Sequence, residues 1–232
     1  MNRNKSTAGN TVTLQNHPKQ EKEHSHADLL TSENCIDLAF QVTSPSPLGS
    51  DHGYQFFGAI SRLLPHVHEP NGVAVLPISG QQIGDRKIQL GKSSRLVIRV
   101  ATSDIATWLP LAGKTLDVAG AKLQIGVPEI RAMIPTTALR SRLVTTKNCQ
   151  DQPRFELELR KQMTTLGVSE RAIFSIGKRR TIRIRDKEVV GYEVIVEGLT
   201  ADESLAIQTI GLGGRRHMGC GVFVGHIVGA KP

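Results

Sequence analysis

Apolar and polar positions alternate along Cys35–Val42 (Cys-Ile-Asp-Leu-Ala-Phe-Gln-Val), a pattern that predicts a first β-strand. The Pro- and Ser-rich stretch Ser44–Ser50 breaks it, and Asp51 then offers an N-cap for a helix running to about Leu64. Phe56, Phe57, Ile60, Leu63 and Leu64 recur at helical spacing on its buried side, and Pro65 stops it. Val73–Ile78 and Ser94–Ala101 read as strands, and Ser103–Leu111 as a short helix capped by Ser103. Lys114–Val118 and Lys122–Val127 read as a hairpin around Ala119-Gly120-Ala121. The same order then recurs. An extended segment, Ile130–Thr145, bends at Pro135, and Gln152–Leu166 is helical, with Phe155, Leu159, Met163 and Leu166 on one side and Gly167 at its end. Ala172–Ile176, Thr181–Arg185 and Val189–Gly198 are strands. Thr200 and Glu203 make a capping box for a helix reaching Gly211, and Val222–Val228 is the last strand. Two successive β-α-β-β-α-β units predict an α+β fold of two tandem ferredoxin-like (RRM-like) domains, 34–128 and 129–232, with a C-terminal glycine-rich loop.

Composition narrows the core and the partner. The 232 residues are 39% hydrophobic but only 4% aromatic, so the core is built from Leu, Ile and Val. Residues 1–33 are polar and nearly without large apolar groups, which predicts a disordered tail that leaves His17, His24 and His26 solvated. Their four basic and four acidic side chains cancel, so the net charge of +8 falls on the folding part and favours a polyanionic partner such as nucleic acid. Cys35, Cys149 and Cys220 are far apart and form no Cys-x-x-Cys, which fits a reducing compartment and no zinc site. No apolar run reaches the roughly 18 residues that would span a bilayer, and the N-terminus lacks a secretory hydrophobic region. The expectation is a soluble, cytoplasmic protein without a membrane partner.

Two stretches concentrate the chemistry. Residues Gly211–Gly221 hold five glycines around Arg215, Arg216 and His217. The backbone amides of Gly213 and Gly214 beside guanidinium groups suit phosphate oxygens; a tight helix-to-strand turn with a solvated basic tip accounts for the same residues. The spacing matches neither Gly-x-Gly-x-x-Gly at a helix start nor a Walker A loop. Residues Gly177–Lys187 carry Lys178, Arg179, Arg180, Arg183, Arg185 and Lys187 against the single acid Asp186. Strand alternation sends Arg179, Arg183 and Arg185 to one face and Arg180 to the other, either as a grip on a phosphate backbone or as a solvated face. Helix 152–166 adds Arg154 and Arg160, diluted by Glu156 and Glu158. For catalysis, His52 stands at the first turn of the first helix beside Asp51 and Tyr54, where an imidazole can take a ribose 2′-hydroxyl proton; a capping or surface role is the alternative, and His66 and His68 follow as further candidates. No carboxylate cluster suggests a two-metal nuclease, so cutting without metal requires RNA, whose 2′-hydroxyl is an internal nucleophile.

Asp51-His52-Gly53-Tyr54, Ala59–Pro65 and His68-Glu69 are followed by Ser94-Arg95-Leu96, Leu111–Leu116 and Val144-Thr145-Thr146-Lys147. Gly177–Thr181, Gly211-Leu212-Gly213 and Gly219–Phe223 complete the series. Together, in this order, they resemble the repeat-processing CRISPR endoribonucleases of the RAMP superfamily, in the variant associated with myxococcal-type CRISPR systems. The resemblance implies binding of a CRISPR repeat stem-loop and cleavage at the 3′ base of the stem, with a 2′,3′-cyclic phosphate and a 5′-hydroxyl as products. It implies His52 as general base with Tyr54 or Ser61 orienting it, and no cofactor or metal. RNA would be held by Lys178, Arg179 and Arg180 with Arg215 and Arg216, supported by Lys147, Arg154, Arg160 and the rest of the hairpin and loop. It also implies that the protein stays on the guide RNA beside other subunits of a surveillance complex. The alternative is a non-catalytic subunit that caps the 3′ hairpin of a guide RNA. A general RNA-recognition module fits poorly, because the aromatic RNP strand is absent.

Overall fold

The computed structural model describes residues 35–67, 72–147, 151–185 and 187–227. The expected tail, His68, Cys149 and the side chain of His66 lie outside the described residues. The first half runs β1 (Cys35–Thr43), β2 (Leu48–Gly49), α1 (Gly53–Leu63), β3 (Ala74–Leu76), β4 (Gln81–Gln82), β5 (Lys87–Gln89), β6 (Arg95–Ala101), α2 (Ile105–Trp108), β7 (Thr115–Val118) and β8 (Ala121–Ala132). The second runs β9 (Ala138–Val144), α3 (Gln152–Thr165), β10 (Ile173–Ile184), β11 (Lys187–Glu197), α4 (Ala201–Ile210) and β12 (Val224–Gly225).

Two main sheets result, ordered β3-β6-β1-β8-β7 and β10-β11-β9-β12, with all pairings antiparallel. In each, the first strand of the unit lies between the third and the last, which is the strand order of the split β-α-β pattern expected from sequence. A third, small sheet, β2-β5-β4, is inserted in the first half. The chain leaves the first sheet after Ala132, which pairs with Ile36, and enters the second at Ala138, beyond the 128/129 division read from the sequence.

Each main sheet buries one face under helices. Leu38, Phe40, Leu96, Ile98 and Leu123 pack with Phe56, Ile60 and Trp108 in one cluster; Leu139, Val194 and Val196 pack with Phe155, Leu159 and Ile207 in another. A fully buried Leu, Ile or Phe contributes roughly 1.5–3 kcal/mol, so these clusters dominate the stability. Several local expectations change. His52, not Asp51, occupies the α1 N-cap, because the Asp51 carboxylate is drawn into an ion pair with Arg86. Leu63 is exposed on α1. The segment after Ser103 forms only one α-helical turn between two 3₁₀ turns, and the Ser103 hydroxyl donates to Asp104 rather than capping. The two strands expected over 172–185 are one strand, β10, interrupted by a bulge, and the last strand shrinks to two residues.

The helix-free face of the first sheet meets the second half through Arg99, which is 2% exposed. Its Nε and a terminal nitrogen donate to the two oxygens of Asp37 (2.7 and 3.0 Å), and the other terminal nitrogen donates to the carbonyls of Gln208 (2.9 Å) and Phe223 (2.8 Å). Those two carbonyls flank the glycine-rich loop, so one buried guanidinium ties both ends of that loop to the first sheet.

Candidate functional site

The start of α1, the turn after β4 and the helix-free face of the second sheet enclose a cleft of about 690 Å³. His52 and Tyr54 line it from the first half; Arg142, Arg180 and Arg183 line it from the second; Met218 and Gly219 of the glycine loop close one wall. The loop reaches this place because two glycines allow it. A Cβ on Gly53 would run into the Met218 carbonyl, and one on Gly219 would lie 2.9 Å from Pro77. The loop tip is therefore wedged into the first half rather than solvated, with the His217 ring 4.7 Å from that of Phe57.

Two bulges aim the arginines. Opposite Glu193, β9 and β10 both slip register: Tyr192 pairs with Val144 and Arg179, while Val194 pairs with Ser141 and Ile176. The extra residues turn Arg142 into the cleft, and past the bulge Arg180 pairs with Gly191 on the helix-free face. Glu193, 9% exposed, is the pivot and is held by an ion pair with Arg140. Arg142 has its guanidinium pKa lowered by burial and then by Arg180, so the cleft wall is a region of accumulated positive charge.

His52 is 5% exposed. Its Nε2 accepts the Ile78 N–H (3.0 Å), so Nδ1 carries the proton and donates to the Gly49 carbonyl (2.8 Å). Burial lowers its pKa below the ordinary 6.5, against the opposing pull of the Gly49 bond, so the ring is neutral at pH 7. Tyr54 does not orient it. The Tyr54 hydroxyl accepts from Arg185 Nε (2.8 Å), joining α1 to the turn between β10 and β11.

The remaining sequence candidates separate. Lys147, Gly213, Gly214 and Arg215 gather at a second cavity of about 870 Å³, with Glu158 and Glu188 beside them. The loop amides do not form the expected cradle: Gly213 N–H donates to the Gln162 side chain (2.7 Å) and Gly214 N–H to the Thr145 carbonyl (2.9 Å). Arg216 points inward and donates weakly to the Gly72 and Gln208 carbonyls; burial lowers its pKa to about 10, with the Arg99 charge adding to the effect. Arg154 pairs with Asp151, and Arg160 pairs with Glu156 over the Phe174 ring. Lys178 and Arg179 are exposed and line neither cavity. Sequence reasoning missed Arg140, Arg142 and Arg86. The first two were visible as the alternating arginines of Ala-Leu-Arg-Ser-Arg-Leu-Val, a stretch read only as extended. Among the described residues no group of three or more His, Cys, Asp or Glu could hold a metal ion, and no helix is long and apolar enough to cross a membrane.

A family model described as Cas6 Crispr matches residues 36–228. The CRISPR-associated endonuclease Cas6 of Myxococcus xanthus (strain DK1622) is 38% identical over 189 residues, covering 82% of this chain and 80% of the relative. Among solved structures, a Cas6-related protein from Pyrococcus furiosus superposes with a TM-score of 0.59 at 13% identity, over 82% of this chain and 98% of that one. A structure described as an RAMP protein binding different RNA substrates gives 0.56 at 14% identity, over 81% and 98%. At such identities the structural likeness concerns the fold; the family match and the close relative add the lineage. The chain belongs to the Cas6 family.

Proposed function

We propose that this protein is an endoribonuclease that binds the stem-loop of a CRISPR repeat and cuts at the 3′ base of the stem. The carrying observation is the cleft that brings His52 together with Arg142, Arg180 and Arg183, in a chain 38% identical to a CRISPR-associated endonuclease. The reaction needs no metal. The ribose 2′-oxygen loses its proton to His52 Nε2 and attacks the adjacent phosphorus; the bond to O5′ breaks, and that oxygen takes up a proton. A 2′,3′-cyclic phosphate and a 5′-hydroxyl remain. Burial keeps the ring in its neutral form at pH 7, the form a base needs, while weakening it as a proton acceptor. The guanidinium groups of Arg142, Arg180 and Arg183 supply positive charge where the phosphate oxygens gain negative charge. For Nε2 to act, the RNA hydroxyl replaces the Ile78 amide, which requires a small shift of the segment between β3 and β4. The processed guide stays bound, held with other subunits in the cytoplasm. We assign the base to the first half, which carries β1 to β8, and the principal RNA grip to the second, which carries β9 to β12.

One observation favours a second reading. Both His52 nitrogens are bonded to backbone, as in a residue that pins α1 to the loop before β4, and a guide-capping subunit that does not cut fits that role. The test is cleavage of the host's own CRISPR repeat RNA in EDTA, beside a copy with a 2′-deoxy at the scissile nucleotide. The endonuclease cuts the first and not the second and leaves a cyclic phosphate. His52→Ala and His52→Asn then both lose about 10²–10⁴-fold in rate, the range for a general base, while RNA binding persists. Asn retains a donor for the Gly49 carbonyl, so an active His52→Asn variant would identify the histidine as a pin.

A further inference from the structure

Beyond Arg142 and Arg180, away from His52, the cleft opens into a second groove of about 700 Å³ between the small inserted sheet and the helix-free face of the second sheet. The two share Ser50, Pro77, Gln82, Arg142, Arg180 and Gly219, so a strand lying in one continues into the other. The composition changes at the border. The groove is walled by Leu76 and Ile88 on one side and by Val222 and Val224 on the other, with the Arg140 guanidinium among them. Arg140 is fixed by its ion pair with Glu193, whereas Arg142 and Arg180 make no ion pair among the described residues. Apolar walls beside a held, planar guanidinium form a surface on which a nucleobase stacks; two uncommitted arginines at the mouth suit its phosphate; Gln82, exposed at the rim, presents an amide that can bond a base edge. A space of this volume admits one or two unpaired nucleotides and excludes a duplex about 20 Å across.

We propose that this groove is a nucleobase subsite that takes an unpaired nucleotide next to the scissile phosphate and thereby sets which strand register is cut. The proposal rests on the reading of the His52 cleft as the cutting centre. It assigns a specificity role to Val224 and Arg140, which line this groove and not the His52 cleft, and to Gln82, which lines both.

The experiment uses the full chain and the host's own repeat RNA, with a single abasic residue placed in turn at each unpaired position flanking the cut. Val224 is 39% exposed on a two-residue edge strand, so Val224→Trp fills the groove without disturbing a core. The expected result is that one abasic position lowers kcat/KM of the wild-type protein by about tenfold, a typical loss for one base stack. Val224→Trp loses a similar factor on intact RNA and little more on that abasic RNA, because both changes remove the same contact. The proposal is overturned if no abasic position matters, or if the two losses multiply. Dissociation constants measured in parallel on the same four combinations keep the tests separate. If the wild-type protein binds the repeat without cutting it, the endonuclease reading fails, and coupling in the dissociation constants still decides the subsite.

Discussion

Arg215 and Arg216 adjoin in sequence but sit in opposite surroundings. Arg215 is exposed at the second cavity beside Lys147, whereas Arg216 is turned under the loop, desolvated and close to Arg99. Arg215→Ala should therefore weaken RNA binding and reduce the slope of log affinity against log salt by about one, as for a lost phosphate contact. Arg216→Met should leave that slope unchanged. Its hydrogen bonds are long, at 3.4 and 3.5 Å, and its Nε has no partner, so an apolar side chain of similar length is expected to leave the melting temperature unchanged or raise it. A salt slope that falls on Arg216→Met would place this residue on the RNA after all. The histidines add a pH signature. Burial lowers the pKa of both His52 and His217 below 6.5, so between that value and their folded-state values the unfolded chain binds protons that the folded chain does not. Stability is full above about pH 6.5 and falls as the pH drops. Urea midpoints at pH 7.5 and pH 5.5 should differ, and His52→Asn should reduce the difference.

At the scale of elements, the glycine-rich loop works by close backbone approach rather than by free amides. A Cβ on Gly213, which has φ +79°, would lie 2.5 Å from the Thr145 carbonyl, and Gly53 abuts Met218. Gly53→Ala should push the loop off α1 and reduce cleavage while leaving the rest of the fold in place; unchanged cleavage with unchanged melting would show the contact to be slack. The Glu203 carboxylate accepts the Thr200 and Ser169 amides (2.8 and 2.7 Å), which lowers its pKa to about 2. Thr200→Ala should cost about 1 kcal/mol, a usual value for a lost N-cap, read as a lower urea midpoint with an unchanged slope. The capping box, the face of α3 and the strand-helix order were legible in sequence, because caps and periodicity are local signals. The bulges opposite Glu193 were not, since they depend on how three strands meet; hence Arg142 escaped notice, and of Arg179 and Arg180, both read as RNA contacts, only Arg180 lines the cleft. The His52 position was legible from its place before α1, but its hydrogen bonds were not, because Ile78 arrives from 26 residues away.

For the whole molecule, the decisive question is what keeps two separately cored halves in one register. The hydrophobic clusters do not merge, yet the cleft is lined by His52 from one half and by Arg142, Arg180 and Arg183 from the other. The exposed Tyr54–Arg185 bond joins the halves at the cleft rim, where solvent competes with it. Arg99 does so from the interior: held by Asp37 within the first half, it donates two hydrogen bonds across the junction, to the Gln208 and Phe223 carbonyls. Removing it leaves the Asp37 charge and two buried carbonyls without their donor, a change expected to cost about 3–5 kcal/mol. Arg99→Met should therefore lower the urea midpoint, and because the loss falls at the junction rather than in either core, it should divide unfolding into two transitions. The two-transition state should show a raised KM for repeat RNA, since the glycine loop anchored at Gln208 and Phe223 forms one wall of the cleft. Tyr54→Phe, which removes only the rim bond, should leave a single transition. If Arg99→Met unfolds in one step at the wild-type midpoint, the remaining contacts between the halves, the Tyr54–Arg185 bond among them, suffice to hold them, and the register of the cleft does not depend on the buried arginine.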